Sequence, residues 1–311
     1  MIRLARAATG RDKIVVFDGK YHGHLDATLV VLEGGRVVPE EHGLPPSIVD
    51  EARIVPFNDV GALESALAPG DVALVLAEPA MTNVGFLLPE PGFHAALRER
   101  TRAHGTLLAM DETHTLVCAY GGLTRTFGLE PDLMTVGKSI AAGVPLGAYG
   151  MREGIAALIA PPEHAHVVSG IPTGEVSTGG TLFGNALSMA AGRAALTEVL
   201  TEAAFAYTDE LGRRMAAGLR AAIVRAGLPW SVVQLGAHAC YFFVPEPPRD
   251  GAGSRDADDP DVRSLIRVWL ANRGVWESGW WLGPTVSVAH TDAGVDRYVA
   301  LFRSCLKTLI G

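Results

Sequence analysis

The sequence predicts an α/β protein whose large domain is built on a mostly parallel sheet, followed by a small C-terminal α+β domain. Two observations carry this prediction. Short, fully apolar runs alternate with segments of helical period through the first half of the chain, as βαβ units require. After Gly180 the character shifts to Ala-rich and amphipathic helices around a few short strands. The 311 residues, 48% hydrophobic and 19% charged, supply enough core for one large domain or two moderate ones. The division is placed at residues 1–200 and 201–311.

The elements follow in order. Ile2, Leu4 and Ala5 beside Arg3 and Arg6 read as the tail of a helix that Thr9-Gly10 stops. Lys13–Phe17 (KIVVF), between Arg-Asp and Asp-Gly, is a buried strand, and Val72–Ala77 (VALVLA) is another, ending at Glu78-Pro79. Phe93 to His104 has helical spacing, with Gly105 as its stop. The strand Thr106–Met110 follows, and Leu133–Val136 (LMTV) runs into Gly137-Lys138. Ala186–Leu200 is helical, and Leu211, Met215, Leu219 and Ile223 line a second helix up to Gly227. The polar stretch Pro245–Pro260 (PEPPRDGAGSRDADDP) predicts a mobile loop. Asp259-Pro260 then caps a helix carrying Val262, Leu265, Ile266 and Trp269, closed by Gly274. The last helix presents Val295, Tyr298, Phe302, Cys305 and Leu309 on one face.

Composition narrows the function classes. A formal net charge of −8 argues against nucleic acid or an anionic membrane as the main partner. No apolar run approaches the ~18 residues that span a bilayer. MIRLARAATGRDK lacks the apolar centre of a signal peptide. Cys118, Cys240 and Cys305 are far apart and odd in number, so free thiols in a reducing, cytoplasmic setting are expected.

The strand Thr106–Met110 ends in Asp111-Glu112-Thr113-His114, where a turn of Gly, Asn or Pro is the ordinary outcome. Ligands of open α/β sheets bind beyond the carboxyl ends of the strands, and three runs place Glu78, Asp111 and Lys138 there. Taken singly, such an Asp is commonly a turn or capping residue and such a Lys merely exposed. Together they suit one chemical problem. A cofactor acting as an electron sink needs a lysine to hold it covalently and a carboxylate to keep its pyridine nitrogen protonated. Gly137, Ser139, Ala141, Ala142 and Gly143 would let the backbone approach a flat ring. Spacing alone leads no further.

Five ordered stretches carry a resemblance: FDGKYHGHLD (Phe17–Asp26), LAEPAMTNVGFLLPEPGFH (Leu76–His94), LLAMDETHT (Leu107–Thr115), DLMTVGKSIAAGVPLGAYG (Asp132–Gly150) and STGGTLFGNALSMAAG (Ser177–Gly192). With them the chain resembles the class III, fold-type I aminotransferases that use pyridoxal 5′-phosphate, closest to the branch of glutamate-1-semialdehyde aminomutase. The resemblance implies that Lys138 binds the cofactor and moves the substrate Cα proton, and that Asp111 pairs with the pyridinium nitrogen. Glu112 is a supporting carboxylate or a purely structural one. Thr113 and Tyr21 would pack on opposite ring faces, with His22 and Gly23 shaping the turn beside Tyr21; without the resemblance Tyr21 reads as a core aromatic. Asn83 would contact the ring 3-oxygen. Thr181 would reach the cofactor phosphate of a neighbouring subunit, implying a homodimer with shared sites.

In the family, a Ser/Gly-Thr-Glu-Ala segment that cradles the phosphate precedes the helix ending in IRLARAATGR. The chain is expected to lack that segment and part of the substrate pocket. The expected activity is transfer of an amino group between an amino acid or amine and a carbonyl acceptor. The alternatives are the intramolecular aminomutase and a non-catalytic truncated homologue. Arg125 and Arg273 are weighed for the substrate carboxylate and read better as surface or cap residues. No metal is expected.

Overall fold

The computed structural model describes residues 1–159, 176–277 and 283–311, with the backbone alone of 166–168 and 171–173. The first third contains helix α1 (Ile2–Thr9), strand β1 (Lys13–Phe17), the hairpin β2 (Val30–Glu33) and β3 (Arg36–Pro39), and strand β4 (Ala52–Val55). Helix α2 (Val60–Leu67) leads to β5 (Val72–Ala77), α3 (Phe93–Ala103) and β6 (Leu107–Asp111). After the short α4 (Gly122–Thr126) come β7 (Leu133–Val136), β8 (Ala148–Met151), α5 (Glu153–Ala156) and the hairpin β9 (His166–Val168) and β10 (Ile171–Thr173). The remainder comprises α6 (Ala186–Ala194), α7 (Glu202–Arg225), the hairpin β11 (Ser231–Leu235) and β12 (His238–Phe242), α8 (Gly251–Asp256), α9 (Pro260–Ala271) and α10 (Asp292–Ile310).

The main sheet has six strands in the order β4-β1-β5-β6-β7-β8, parallel except for the antiparallel edge strand β8. The four strands expected from apolar runs are its four central members, because a strand covered on both faces reads as a nearly continuous apolar run. All six residues of β5 are buried. Phe17, Phe57 and Phe93 meet edge to face beneath the sheet, within a cluster that includes Leu63, Leu97 and Met110.

A second core gathers Leu211, Met215, Leu219 and Ile223 of α7 with Ile266 and Leu270 of α9 and Phe302 and Cys305 of α10. Each of these helices has a side-chain N-cap, from Thr201, Asp259 and Thr291 respectively. A cap of this kind contributes about 1 kcal/mol. The hairpin β11–β12 joins the two cores, since Val233, Cys240 and Phe242 pack into the first and Ala239 and Tyr241 into the second.

The stretch expected to be a mobile loop, Pro245–Pro260, is instead partly helical and anchored. Asp250 caps α8 by accepting from Gly253 N at 2.8 Å, and Arg255 forms a two-pronged pair with Asp18 at 3.1 and 2.7 Å. Gly251 makes this close approach possible, because a Cβ there would lie 2.4 Å from the Asp18 carbonyl oxygen. Its Gly and Asp content serves capping and contact rather than mobility. Among the described residues no helix is long and apolar enough to cross a membrane. The three cysteines are free and buried.

Candidate active site

Four neighbouring strands deliver polar residues to one edge of the sheet. His22 follows β1, Glu78 follows β5, Asp111 ends β6 and Lys138 follows β7. Pairing of Ala77 with Met110 and of Asp111 with Thr135 keeps the last three ends level. Lys138 takes a positive φ of 49°, which a side-chain-bearing residue adopts only under tertiary constraint. A cavity of about 300 Å³ opens between them, lined by Tyr21, His22, Gly23, Glu78, Asp111, Thr113, His114, Thr135 and Lys138.

Asp111 is buried, and burial by itself would raise its pKa. The hydrogen bond and charge of His22 (Nδ1 to Oδ2, 2.8 Å) and the Thr113 N–H donated to Oδ1 (3.0 Å) outweigh that, so the carboxyl sits below its ordinary value. The site therefore holds an ionised carboxylate. Burial lowers the pKa of Lys138, against the opposing charges of Asp111 and Glu78. The amine is thus closer to neutral than an exposed lysine. A primary amine and a fixed carboxylate across one cavity can hold a carbonyl compound covalently and keep a basic ring nitrogen protonated.

Of the residues expected at the site, Lys138, Asp111, Tyr21, His22, Gly23 and Thr113 come together around the cavity. Tyr21 is not a core aromatic but is 39% exposed beside the cavity. Asn83 stands behind it, donating Nδ2 to Glu78 Oε1 at 3.1 Å and lining adjoining cavities. Thr181 lies in an exposed turn before α6 and is not among the lining residues. Glu112, fully buried, accepts from the Thr115 hydroxyl and from the N–H groups of Leu123 (3.2 Å) and Thr124 at the start of α4, a structural duty.

Sequence reasoning gave no role to His114, which touches Lys138 Nζ through Nε2 and Thr82 Oγ1 through Nδ1 at 2.7 Å. Thr82 in turn donates to Glu78. Burial pushes Glu78 up to about 8, and pushes His114 down to about 4 with help from the Lys138 charge. The available signal was that Glu78 and His114 lie just beyond the ends of adjacent parallel strands. Among the described residues no His, Cys, Asp or Glu cluster could hold a metal ion.

The family profile described as Aminotransferase class-III matches residues 1–238. A glutamate-1-semialdehyde 2,1-aminomutase of Desulforudis audaxviator is 37% identical over 308 residues, covering 95% of this chain and 67% of that protein. The crystal structure of a glutamate-1-semialdehyde-aminomutase from Pseudomonas aeruginosa PAO1 in complex with PMP superimposes with a TM-score of 0.90 at 40% identity, covering 99% of this chain and 68% of the other. An omega-transaminase from Sphaerobacter thermophilus gives a TM-score of 0.89 at 30% identity, over 100% of this chain and 71% of its own. The chain therefore spans about two thirds of these relatives, and it belongs to the class III aminotransferase family of fold-type I enzymes.

Proposed function

We propose that the protein is a pyridoxal 5′-phosphate-dependent aminotransferase that moves an amino group between an amino acid or amine and a carbonyl acceptor. The observation that carries this is the placement of Lys138 and Asp111 on adjacent strand ends around one cavity. The donor set fits the cofactor. The amine is lowered toward neutrality, the carboxylate is ionised, and His22 Nε2 is buried without a hydrogen-bond partner behind the carboxylate it orients.

Bound there, the cofactor supplies an aldehyde that condenses with amines and a ring that accepts electrons when a bond to Cα breaks. Lys138 would hold it through Nζ, and its amine, when free, would take the proton from the substrate Cα. Asp111 keeps the proton on the ring nitrogen. Tyr21 and Thr113 flank the ring. Asn83, with one Nδ2 hydrogen given to Glu78, is assigned the ring 3-oxygen through the other.

Thr181 is assigned to the cofactor phosphate of a second subunit. It precedes Leu182 and Phe183, 76% and 72% exposed, which a second copy would cover. The functional unit is then a homodimer with shared sites, working on small molecules. Buried free thiols suit the cytoplasm.

The second reading is glutamate-1-semialdehyde 2,1-aminomutase, favoured by the 37–40% identity to proteins of that name. Incubation with pyridoxal 5′-phosphate, borohydride reduction and peptide mapping should label Lys138. Label confined to other lysines would remove the proposal, and no cofactor absorbance change on titration would favour a non-catalytic chain. Turnover of glutamate 1-semialdehyde without a separate donor or acceptor would select the aminomutase.

A further inference from the structure

The proposed reaction leaves unexplained a line of hydrogen bonds that begins at Lys138. Lys138 Nζ meets His114 Nε2, and His114 Nδ1 lies 2.7 Å from Thr82 Oγ1. The Thr82 hydroxyl meets Glu78 Oε2, and Asn83 Nδ2 fixes the other carboxylate oxygen at 3.1 Å. Thr82 and Glu78 are buried, and His114 is partly so.

Each link has one hydrogen to give, which restricts the line to two polarities. With Glu78 ionised, Thr82 donates to it, His114 must carry its proton on Nδ1, and Nε2 is left to accept from the Lys138 ammonium. With Glu78 protonated every bond reverses, and His114 Nε2–H donates to a neutral Lys138 amine. The two states differ by one proton moved from Lys138 to Glu78.

We propose that His114 and Thr82 form a proton relay that carries the Lys138 proton to Glu78 and returns it. The balance is closed. An N–H bond breaks at Lys138 as one forms at His114 Nε2. The Nδ1–H bond breaks as an O–H bond forms on Thr82, and the original Thr82 O–H bond breaks as one forms on Glu78. An ammonium and a carboxylate become an amine and a carboxylic acid, with no other reactant. This inference rests on Lys138 being the reactive amine, which must be neutral to attack a carbonyl or to take a proton from Cα.

The surroundings support it. Burial raises Glu78 to about 8 and lowers Lys138, so the two ends of the line approach each other. Burial and then the Lys138 charge hold His114 near 4, so it passes a proton without storing one. The other ionisable groups facing the line are engaged elsewhere. Asp111 is bound by His22 and Thr113, and Glu112 by the start of α4. His238 of β12 is paired with Thr285 at 2.7 Å, and burial raises the Cys118 thiol well above its ordinary range.

The test reads Lys138 directly in the cofactor-free chain. Its neutral amine is modified with trinitrobenzenesulfonate across a pH series, and the rate is followed at the Lys138 peptide by mass spectrometry. Glu78→Gln should lower the midpoint of Lys138 reactivity by about one pH unit, because the negative charge that Glu78 takes on as it ionises toward pH 8 no longer holds the ammonium. The same change made together with Thr82→Val should shift it by less than half as much, and Thr82→Ser should restore the full shift. Equal shifts with and without the Thr82 hydroxyl would mean simple charge attraction and would overturn the relay. Should Thr82→Val fail to fold, His114→Gln, which can bridge but not pass a proton, must show the same reduced shift, and a full shift there also overturns it. A Lys138 unreactive at every pH in the unsubstituted chain would instead bring down its assignment as the reactive amine.

Discussion

His22 Nδ1 and Asp111 Oδ2 lie 2.8 Å apart, joining the loop after β1 to the end of β6 across the intervening strand β5. This contact, with the Thr113 N–H, holds Asp111 ionised where burial alone would favour its neutral form. Replacing His22→Phe removes it. The Asp111 pKa should then rise, so any step that needs the carboxylate should fail at a higher pH on acidification. A pH profile of the amino-donor half-reaction should show its acid limb displaced upward by about one unit. An unmoved limb would separate His22 from the charge of Asp111.

Asp111→Asn keeps the shape and discards the charge. A loss of about 4 kcal/mol in stabilising the deprotonation step corresponds to roughly a thousandfold slower rate. Stopped-flow absorbance of the first half-reaction should register this with little change in melting temperature. Near-normal rates would show that the carboxylate has another duty.

Glu78 makes stability depend on pH in an unusual direction for a carboxylate. The folded chain keeps its proton up to about pH 8, while the unfolded chain releases it near 4.5. Between these values the folded state binds more protons, so this group's contribution is present at low pH and is lost as pH rises toward 8. The difference amounts to a few kcal/mol. Glu78→Gln should flatten that slope in urea denaturation measured at pH 5 and pH 8.

Gly122 has φ 78°, and a Cβ there would fall 2.7 Å from Glu112 Oε1. Gly122→Ala should therefore strain the turn and displace the carboxylate that serves Leu123 and Thr124. Glu112→Ala orphans those two N–H groups, each costing about 1–3 kcal/mol. Both variants should melt several degrees lower. Unchanged melting of Gly122→Ala would mean that the turn accommodates the added Cβ, and unchanged melting of Glu112→Ala that water takes over these donors.

Thr181→Val should weaken cofactor binding without unfolding the chain. Mixed with Lys138→Ala, it should regenerate some sites that combine an intact Lys138 with an intact Thr181 from the other subunit. The readout is recovered activity in hybrids verified by native mass spectrometry. Verified hybrids that remain inactive would argue against shared sites.

The legible parts of the fold were those in which one segment determines its own environment. β1, β5, β6 and β7 each carry a largely apolar run, buried or half-buried, because the sheet is covered there on both faces, and that pattern survives in the bare sequence. β4 (ARIV) and β8 (AYGM) are edge strands with exposed or half-exposed positions, so no apolar run announces them. α8 escaped because GAGSRD has the composition of a loop, and it becomes helix through the Asp250 cap and its seat on Asp18. Asp111 and Lys138 stood out because each stands where an apolar run gives way to polar residues, within one of the stretches that carry the family resemblance. The path from His114 to Glu78 through Thr82 did not, since it exists only once β5 and β6 lie side by side.

The pairing of Arg255 with Asp18 joins positions 237 apart along the chain. Closing so wide a span costs conformational entropy that one contact does not repay, so the pair is expected to form after the sheet and the second core have assembled. Docking of α8 then belongs to the descent from the folding transition state. Arg255→Ala should leave the refolding limb of a chevron plot nearly unchanged and steepen escape from the native state, with a φ-value near zero. On this expectation the pair slows departure from the native state without hastening arrival at it.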